Sequence, residues 1–244
     1  PALLSRIRDY DARGAYTTGM LSIRKIDYSK SHETKNPADF EGDTMGFAWV
    51  SFKFPPGTRQ PCLPVRTDMH GLRYPMRGDS YCTAPEIALA LRLRAEITIN
   101  RGVIYPWKSD DTRIFLPFVR WVSQLRASFR KGSLEELMVK LWGNSLYGKT
   151  GQGLHEKTAF NTGSEMSFRV PESDISNGPM AAHVTGFVRA LMVEIMNGVP
   201  AHRRIISCTT DGILTDASLD ELDLTGELCV CFQGLADMLE VQHG

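Results

Sequence analysis

The chain has 244 residues, 42% of them hydrophobic, and its acidic and basic side chains balance to a formal net charge of zero. This size and composition allow one large domain or two small ones with a sizeable core. No apolar run reaches the roughly 18 residues of a membrane span, so no membrane partner is expected. Five cysteines without a Cys-x-x-Cys pair argue against a disulfide framework or a zinc site. From the start at Pro1, without an initiator Met or a signal-peptide layout, we interpret the chain as a fragment or a trimmed product.

Charge is unevenly distributed along the chain. Residues 101–157 carry ten Lys and Arg against five Asp and Glu, whereas residues 209–244 carry eight Asp and Glu and no Lys or Arg. The middle segment can therefore meet a polyanion, and the acidic end is expected to form a solvated surface. Charge alone makes only a weak case for nucleic acid.

The first half of the chain predicts strands and one helix. Residues 3–11 fit a strand that ends in a turn of small residues, and residues 46–54 fit a strand that a Pro-Pro-Gly sequence stops. Thr83 and Glu86 form a capping box with a proline in the first turn, which predicts a helix to about residue 94. A short strand over residues 96–100 is expected next.

The centre of the chain predicts two helices followed by a loop. Residues 115–130 suit an amphipathic helix that Gly132 ends. Ser133 begins a second capping box and a helix that extends to about residue 147. The turn-rich residues 151–178 are expected to form a loop.

The last part predicts a helix over residues 181–197 and then a hairpin. Apolar runs at residues 204–207 and 213–215 flank an Asp-Gly pair, which is a strong hairpin signal. The alternation in residues 229–231 (Cys-Val-Cys) is typical of a strand. The mixture of strands and helices predicts an α+β fold.

The helix predicted from residue 134 to 147 carries a polar stripe. Lys140, Asn144 and Tyr147 lie at spacings i, i+4 and i+7, which places a cation, an amide and a phenol on one surface. Four apolar residues to one side of the stripe are expected to face a core: Leu134, Leu137, Met138 and Leu141. Arg126 and Arg130, four apart on the preceding helix, can present cations together. Such an array can hold a triphosphate, although a solvated helix face is the simpler reading for Lys140 alone.

Two carboxylates stand at the ends of predicted strands. Asp11 ends the first strand, and Asp211 lies at the tip of the predicted hairpin. Carboxylates brought together repel each other unless cations lie between them. Phosphoryl transfer uses such pairs to hold two Mg²⁺ ions. Each aspartate alone is weak evidence, because an Asp before Gly is most often a turn residue.

Three segments together resemble one known family. Residues 140–149 (KLWGNSLYGK) match the fingers motif of the family B DNA polymerases, Lys-x-x-x-Asn-Ser-x-Tyr-Gly, at every fixed position. Residues 11–16 resemble the first palm motif, an Asp followed five residues later by a Tyr, and residues 209–212 resemble the second, usually Asp-Thr-Asp-Ser. Residues 78–97 and 181–192 are similar to blocks that family members carry in the same order. The resemblance therefore covers most of the chain.

The resemblance implies a palm with an antiparallel sheet and helical fingers. Residues 1–110 would form the first part of the palm with an inserted segment, residues 111–150 the fingers, and residues 151–244 the second part of the palm. An exonuclease domain, a thumb and the family's Lys-x-Tyr motif are not found in the sequence. The chain is expected to be a polymerase core rather than a whole polymerase. The Thr-Asp-Gly ending of its second palm motif resembles that of the protein-primed and primer-independent branches from mobile elements.

The resemblance also implies roles for individual residues. Asp11 and Asp211 would be catalytic and would hold two Mg²⁺ ions, with Mn²⁺ as an alternative. Tyr16 would stack under the sugar and exclude a 2′-hydroxyl. The triphosphate would be bound by Lys140 and by Arg126 or Arg130. Asn144 and Tyr147 would line the pocket of the nascent base pair, and Gly148 and Lys149 would contact the template DNA.

The implied partners are a DNA primer-template and dNTPs, and the protein-primed branch would add a priming protein. The implied location is the cytoplasm of a bacterium or of the host of a virus or mobile element, without secretion. The sequence departs from the family at Thr209, which replaces the first aspartate of the second palm motif, and at Gly14 and Thr17, where Ser and Pro are usual. A catalytically degenerate nucleic-acid-binding module is therefore the alternative, and an RNA-dependent polymerase is a third reading.

Overall fold

The computed structural model describes residues 7–69 and 71–239. Its strands are β1 Arg8–Asp11, β2 His32–Thr34, β3 Met45–Lys53, β4 Val65–Thr67, β5 Gly71–Arg73, β6 Arg77–Thr83, β7 Glu96–Tyr105, β8 Thr158–Asn161, β9 Met166–Arg169, β10 Ile205–Cys208 and β11 Gly212–Thr215. Its α-helices are α1 Ala15–Gly19, α2 Ala84–Arg92, α3 Leu116–Ala127, α4 Leu134–Thr150, α5 Gly178–Asn197 and α6 Glu227–Asp237. Every strand pair among these residues is antiparallel, so the predicted α+β class with an antiparallel sheet is confirmed.

A three-stranded sheet of order β1-β11-β10 joins two distant parts of the chain. The predicted hairpin is present as β10 and β11, and β1 pairs with β11 in a register that sets Asp11 opposite Gly212. Ile213 is buried beneath this sheet, which anchors it to the core. Of the strand predicted over residues 3–11, residues 1–6 lie outside the described part of the chain.

A four-stranded sheet of order β2-β7-β3-β6 lies in the first half of the chain. Along β3, the side chains of Ala48, Val50 and Phe52 are buried on one face, as period-2 alternation requires. Helix α2 contributes Ile87 and helix α5 contributes Leu191 to the same core, and both side chains are almost completely buried. Burial of each such aliphatic side chain contributes about 1.5–3 kcal/mol to folding. The predicted capping box of Thr83 and Glu86 begins α2, and β7 continues to Tyr105 rather than ending at residue 100.

Helices α3 and α4 pack against each other in the middle of the chain. The side of α4 that contacts neighbours carries Val139 and Gly143, which are buried. A Cβ at Gly143 would lie 3.2 Å from Val122 of α3 and 3.5 Å from Thr17 of α1, so close packing accounts for a glycine inside this helix. The prediction that the leucine-rich side of α4 faces a core is wrong, because all four of its residues are exposed: Leu134, Leu137, Met138 and Leu141.

Three further predictions of local structure are corrected. Residues 229–231 lie in helix α6, where burial of Leu228 and Leu235 sets the helical period. The loop expected over residues 151–178 contains the β8–β9 hairpin. Arg130 lies beyond the end of α3, so it does not share a helix face with Arg126. Among the helices of residues 7–69 and 71–239, none combines the length and apolar character that a bilayer crossing requires.

Candidate active site

The two aspartates singled out in the sequence meet at one edge of the three-stranded sheet. Asp11 ends β1, and Asp211 lies in the turn that precedes β11. The backbone N–H of Ala12 donates a 2.8 Å hydrogen bond to the carbonyl oxygen of Asp211, so the two turns are fixed against each other. Asp11 is exposed and Asp211 is half-buried. Both carboxylates therefore project from a rigid sheet edge that solvent and a substrate can reach.

Gly212 makes room for the Asp11 side chain. A Cβ added at Gly212 would lie 2.2 Å from Oδ1 of Asp11, well inside van der Waals contact, and 3.0 Å from the carbonyl oxygen of Tyr10. The carboxylate of Asp11 thus lies over the backbone of the neighbouring strand. A serine, the usual residue of the family motif at this position, would collide with the carboxylate in this arrangement.

Thr209 occupies the position where the family motif usually has its first aspartate. Its backbone N–H and its hydroxyl both donate to the carbonyl oxygen of Gly212, at 2.8 Å and 3.2 Å. The threonine therefore closes the β10–β11 turn. Within the described residues, no group of three or more Asp, Glu, His or Cys side chains is placed to hold a metal. The donors at this edge are two carboxylates and nearby backbone carbonyls, an all-oxygen set of the kind that Mg²⁺ accepts together with water and phosphate.

Two tyrosines from different elements stack beside the carboxylates. Helix α1 follows Gly14, whose backbone is left-handed at φ +59°, and presents Tyr16. The ring of Tyr147 from α4 stacks on the ring of Tyr16, with centroids 4.5 Å apart and planes at 30°. Burial, together with Tyr147 and the negative charge of Asp211, raises the pKa of Tyr16 to about 12. The phenol of Tyr16 therefore stays neutral at physiological pH and lies within electrostatic reach of Asp211.

Tyr147 is also tied to the helix on the other side of the site. Its hydroxyl lies 2.6 Å from the hydroxyl of Thr185 on α5, and Thr185 donates a 2.7 Å hydrogen bond to the carbonyl oxygen of Ala181. Because that donation uses the threonine proton, the tyrosine is the donor in the first bond. The sequence reasoning missed Thr185, because its contact with Tyr147 joins residues that are 38 positions apart in the chain.

The remaining predicted residues of α4 follow the same helix outward. Lys140 and Asn144 are exposed, as are Gly148 and Lys149. Lys140 lies between one and two turns after the start of the helix, and Tyr147 lies about two turns further along. The polar stripe predicted from spacing thus begins at the sheet-edge tyrosines and extends into solvent.

The two predicted arginines differ in their surroundings. Arg126 forms an ion pair with Glu136 in the first turn of α4. The hydrogen bond that the Arg126 guanidinium donates is the main cause that lowers the pKa of the Glu136 carboxyl. Ser133 accepts the backbone N–H of Glu136 and caps the helix, while the carboxylate of Glu136 accepts the N–H of Gly132. Arg126 is therefore part of the α3–α4 connection. Arg130 is exposed in the turn between these helices.

A buried ion pair next to the site was not predicted. Arg189 of α5 contacts the carboxylate of Glu86 through Nη2 at 2.8 Å and through Nε at 2.9 Å. Burial raises the pKa of Glu86, and the charge of Arg189 opposes that rise. Burial is the main cause that raises the pKa of Tyr16 and of Tyr74, each to about 12, and the charge of Arg189 opposes both rises. Its cation is therefore within electrostatic reach of the tyrosine stack.

Comparison with known proteins links this geometry to DNA polymerases. The chain is 48% identical over 239 residues to the primer-independent DNA polymerase PolB of Escherichia coli, a match that covers 95% of this chain and 28% of that protein. The chain thus spans a little over a quarter of the relative's length. No family model matches the sequence.

Solved structures give the same answer for the fold. Phi29 DNA polymerase in a ternary complex with primer-template DNA and incoming nucleotides matches with a TM-score of 0.62 at 15% identity, over 87% of this chain and 39% of that chain. Phi29 DNA polymerase in an orthorhombic crystal form matches with a TM-score of 0.59, at the same identity and over 38% of that chain. The predicted resemblance to the family B DNA polymerases is confirmed by the sequence relative together with this fold.

Proposed function

We propose that this chain, a homologue of part of a primer-independent DNA polymerase, is a polymerase core that adds dNMP units to a DNA 3′ end under the direction of a template. The observation that carries the proposal is the meeting of Asp11 and Asp211 at one sheet edge, beside the stack of Tyr16 on Tyr147. A polymerase needs a carboxylate pair next to a pocket that fits a sugar and a base. The sequence relative, which is named as a DNA polymerase, supports this reading.

Asp11 and Asp211 would hold the divalent ions, Mg²⁺ or alternatively Mn²⁺. The ions, when bound, stabilise the attacking and leaving oxygens of an in-line displacement at phosphorus. These two side chains would supply the negative charge of the site. Thr209, which stands at the position of a third carboxylate, is instead engaged in closing the turn. Both hydrogen bonds of that turn keep Asp211 at the sheet edge where Asp11 lies.

The helices would bind and orient the nucleotide. Tyr16, neutral because its pKa is about 12, presents an aromatic face under the sugar and leaves no room for a 2′-hydroxyl. Lys140 would contact the triphosphate as an exposed cation one helical turn from Asn144, and Asn144 and Tyr147 would line the base-pair pocket. Arg130 is a better second phosphate ligand than Arg126, since Arg126 is held by Glu136.

The surfaces around the site would contact DNA. Gly148 and Lys149 are exposed at the end of α4, and a Cβ at Gly148 would meet nothing within 4 Å, so a template backbone can approach closely there. We assign residues 1–110 and 151–244 to the palm and residues 111–150 to the fingers. The reaction would take place in the cytoplasm. The name of the Escherichia coli relative suggests that this core also belongs to a polymerase that starts synthesis without a primer. No observation supports a priming protein as a partner.

Calorimetry of dATP binding tests the site directly. The titration is run with Mg²⁺, with Mn²⁺ and without metal, for the wild type and for Asp211→Ala. The matched control is Asp220→Ala, because Asp220 is an exposed carboxylate on a different turn. Metal-dependent binding that Asp211→Ala loses and Asp220→Ala keeps is the expected result. Binding that both variants keep would refute the assignment of Asp211.

The activity itself is tested in the longer polypeptide that contains this core. Extension of a labelled primer on DNA and on RNA templates, with a parallel reaction that lacks a primer, separates DNA-directed from RNA-directed synthesis and tests the primer-independent start. The Asp11→Ala and Asp211→Ala variants should abolish incorporation. Incorporation by either variant at the wild-type rate would remove that residue from the site.

A catalytically degenerate module is the second candidate, and Thr209 is the observation that favours it. The lost carboxylate lowers the negative charge available to hold cations. Such a module would bind DNA but show no metal-dependent dATP binding, whereas a competent core shows both. Restoring the motif with Thr209→Asp should then create metal-dependent binding only if the wild type lacks it.

A further inference from the structure

The four-stranded sheet has one face that helices cover and one face that carries exposed aromatic rings. On the open face, Trp49 of β3 pairs across the sheet with Tyr81 of β6 on one side and with Arg101 of β7 on the other. Trp49 is 43% exposed and Tyr81 is 80% exposed. Single exposed apolar residues are common on protein surfaces, but a contiguous group marks an interaction site.

The rings on this face form two pairs, one stacked and one edge-to-face. Trp49 and Tyr81 stack with centroids 6.1 Å apart and planes at 21°. Phe47, two residues before Trp49 on the same face, meets Tyr105 edge-on with centroids 6.0 Å apart. We call this surface, formed by Phe47, Trp49, Tyr81, Arg101 and Tyr105, the aromatic face.

A groove of about 540 Å³ passes over the aromatic face and reaches helix α5. Its lining includes all five residues of the aromatic face and, at the α5 side, Arg189. Arg189 also acts electrostatically on Tyr16 of the candidate active site. Helix α5 therefore borders the groove through Arg189 and the tyrosine stack through the contact of Thr185 with Tyr147, so a strand that leaves the nucleotide site can reach the groove along this helix.

The charges along the groove are compatible with a phosphate backbone, although they do not attract it strongly. Arg101 pairs with Glu33 at 2.9 Å, and both side chains are more than two-thirds exposed. An exposed ion pair of this kind contributes about 0–1 kcal/mol, so Arg101 can exchange Glu33 for a phosphate at small cost. Lys53 and Arg77 pair across the neighbouring strands further along the face. Asp79 and Glu96 are their acidic neighbours, so aromatic stacking rather than net charge has to supply most of the affinity.

We propose that the aromatic face binds single-stranded DNA that extends from the active site, with bases stacked on Trp49 and Tyr81 and a phosphate on Arg101. Bases stack on exposed aromatic rings regardless of sequence, which suits a polymerase that must accept any template. A duplex cannot use the face in this way, because its bases are already paired and stacked. The proposal rests on the function proposed above, but it assigns a site outside the catalytic residues.

Fluorescence anisotropy with a labelled 12-nucleotide oligo(dT) tests the proposal on the full chain. The variant Trp49→Ala/Tyr81→Ala removes two stacking rings and should weaken binding about 30-fold or more, since the loss of each stacked base costs at least about 1 kcal/mol, or about 5-fold. Trp49→Phe/Tyr81→Phe keeps two rings and should bind within a few-fold of wild type. Trp121→Ala is the matched control, because Trp121 is similarly exposed, at 49%, but does not line the groove.

Four further measurements separate the outcomes. Binding of a 12-base-pair duplex should not change in the alanine variant, and Arg101→Ala should reduce the dependence of log affinity on log salt by about 0.7, as for one phosphate contact. Thermal unfolding of each variant shows whether it folds. Metal-dependent dATP binding should stay at the wild-type level, so failure of this proposal is distinct from failure of the catalytic site. Unchanged oligo(dT) affinity in a folded Trp49→Ala/Tyr81→Ala protein, or equal losses for Trp121→Ala, would overturn the proposal.

Discussion

Replacing Gly212 with alanine tests whether the Asp11 carboxylate must lie over strand β11. The added Cβ would stand 2.2 Å from Oδ1 of Asp11, 3.0 Å from the carbonyl oxygen of Tyr10 and 3.2 Å from the hydroxyl of Thr209. Ordinary contacts of this kind begin at 3.4 Å, so the carboxylate has to move by about 1 Å or more. The backbone of Gly212 is not among the positive-φ residues of the described chain, so the cost comes from the side-chain collision rather than from backbone strain.

The displaced carboxylate should weaken the metal site more than the fold. A shift of about 1 Å in a positioned catalytic group costs about 100-fold in rate. Disturbance next to a metal ligand costs about 10- to 100-fold in metal affinity. Crowding of a packed site costs about 1–3 kcal/mol of unfolding free energy. We therefore expect Gly212→Ala to lower the affinity for dATP with Mg²⁺ at least 10-fold, in the calorimetric assay, while urea denaturation shows a loss of no more than about 3 kcal/mol.

A double mutant and a control isolate the cause. In an Asp11→Ala background the nearest colliding atom is gone, so the unfolding cost of Gly212→Ala should fall by about 1 kcal/mol or more. Gly234→Ala in helix α6 is the matched control, because its Cβ would meet nothing within 4 Å. It should leave nucleotide binding unchanged and stabilise the helix by about 0.5–1 kcal/mol. Wild-type affinity for dATP with Mg²⁺ in Gly212→Ala would refute the reasoning.

Three other predictions follow from contacts around the tyrosine stack and the core. Tyr16→Val should reduce the preference for dATP over ATP about 10-fold or more in incorporation assays, and unchanged discrimination would defeat the steric role of the ring. Tyr147→Phe and Thr185→Val should show a coupling of about 0.5–1.5 kcal/mol in a double-mutant cycle of unfolding, with Thr185→Ser restoring the bond; additive effects would mean that the 2.6 Å contact stabilises nothing. His183 is buried and desolvation lowers its pKa from 6.5 to about 4, so the unfolded chain binds its proton first as pH falls. Stability should be full above pH 6.5 and decline by about 3 kcal/mol towards pH 4, and urea titrations of His183→Phe should lack that part of the decline.

The parts of the fold that were predictable are those that local chemistry determines. The Asp-Gly turn at residues 211–212 and the capping box at Thr83 act through neighbours in the sequence, and both are present. The motif spacing also gave the stack partners Tyr16 and Tyr147 as candidates, although it could not give their contact. These features need only a few residues of context.

The features that were missed depend on distant parts of the chain. The spacing of leucines in α4 indicated that one side of the helix is apolar, but it could not indicate whether another element covers Leu137 or Leu141. Three alternating residues at 229–231 fit a strand or a helix equally, and packing of Leu228 decided for the helix. Arg189 and its partner Glu86 are 103 residues apart in the sequence, so no local pattern could predict this buried ion pair.

The continuity of α4 joins the two ends of the proposed nucleotide site through one rigid element. The helix has 17 residues without interruption, so it is a rod of about 25 Å. Lys140 and Tyr147 are fixed to the same rod, one at the proposed phosphate end and the other at the proposed base-pair pocket. A base pair that pushes Tyr147 away from Tyr16 would tilt the rod about its close packing at Gly143 and draw the lysine off the phosphates. A nucleotide that does not fit the site would thus lose its contacts with Lys140 and with Tyr147 at the same time.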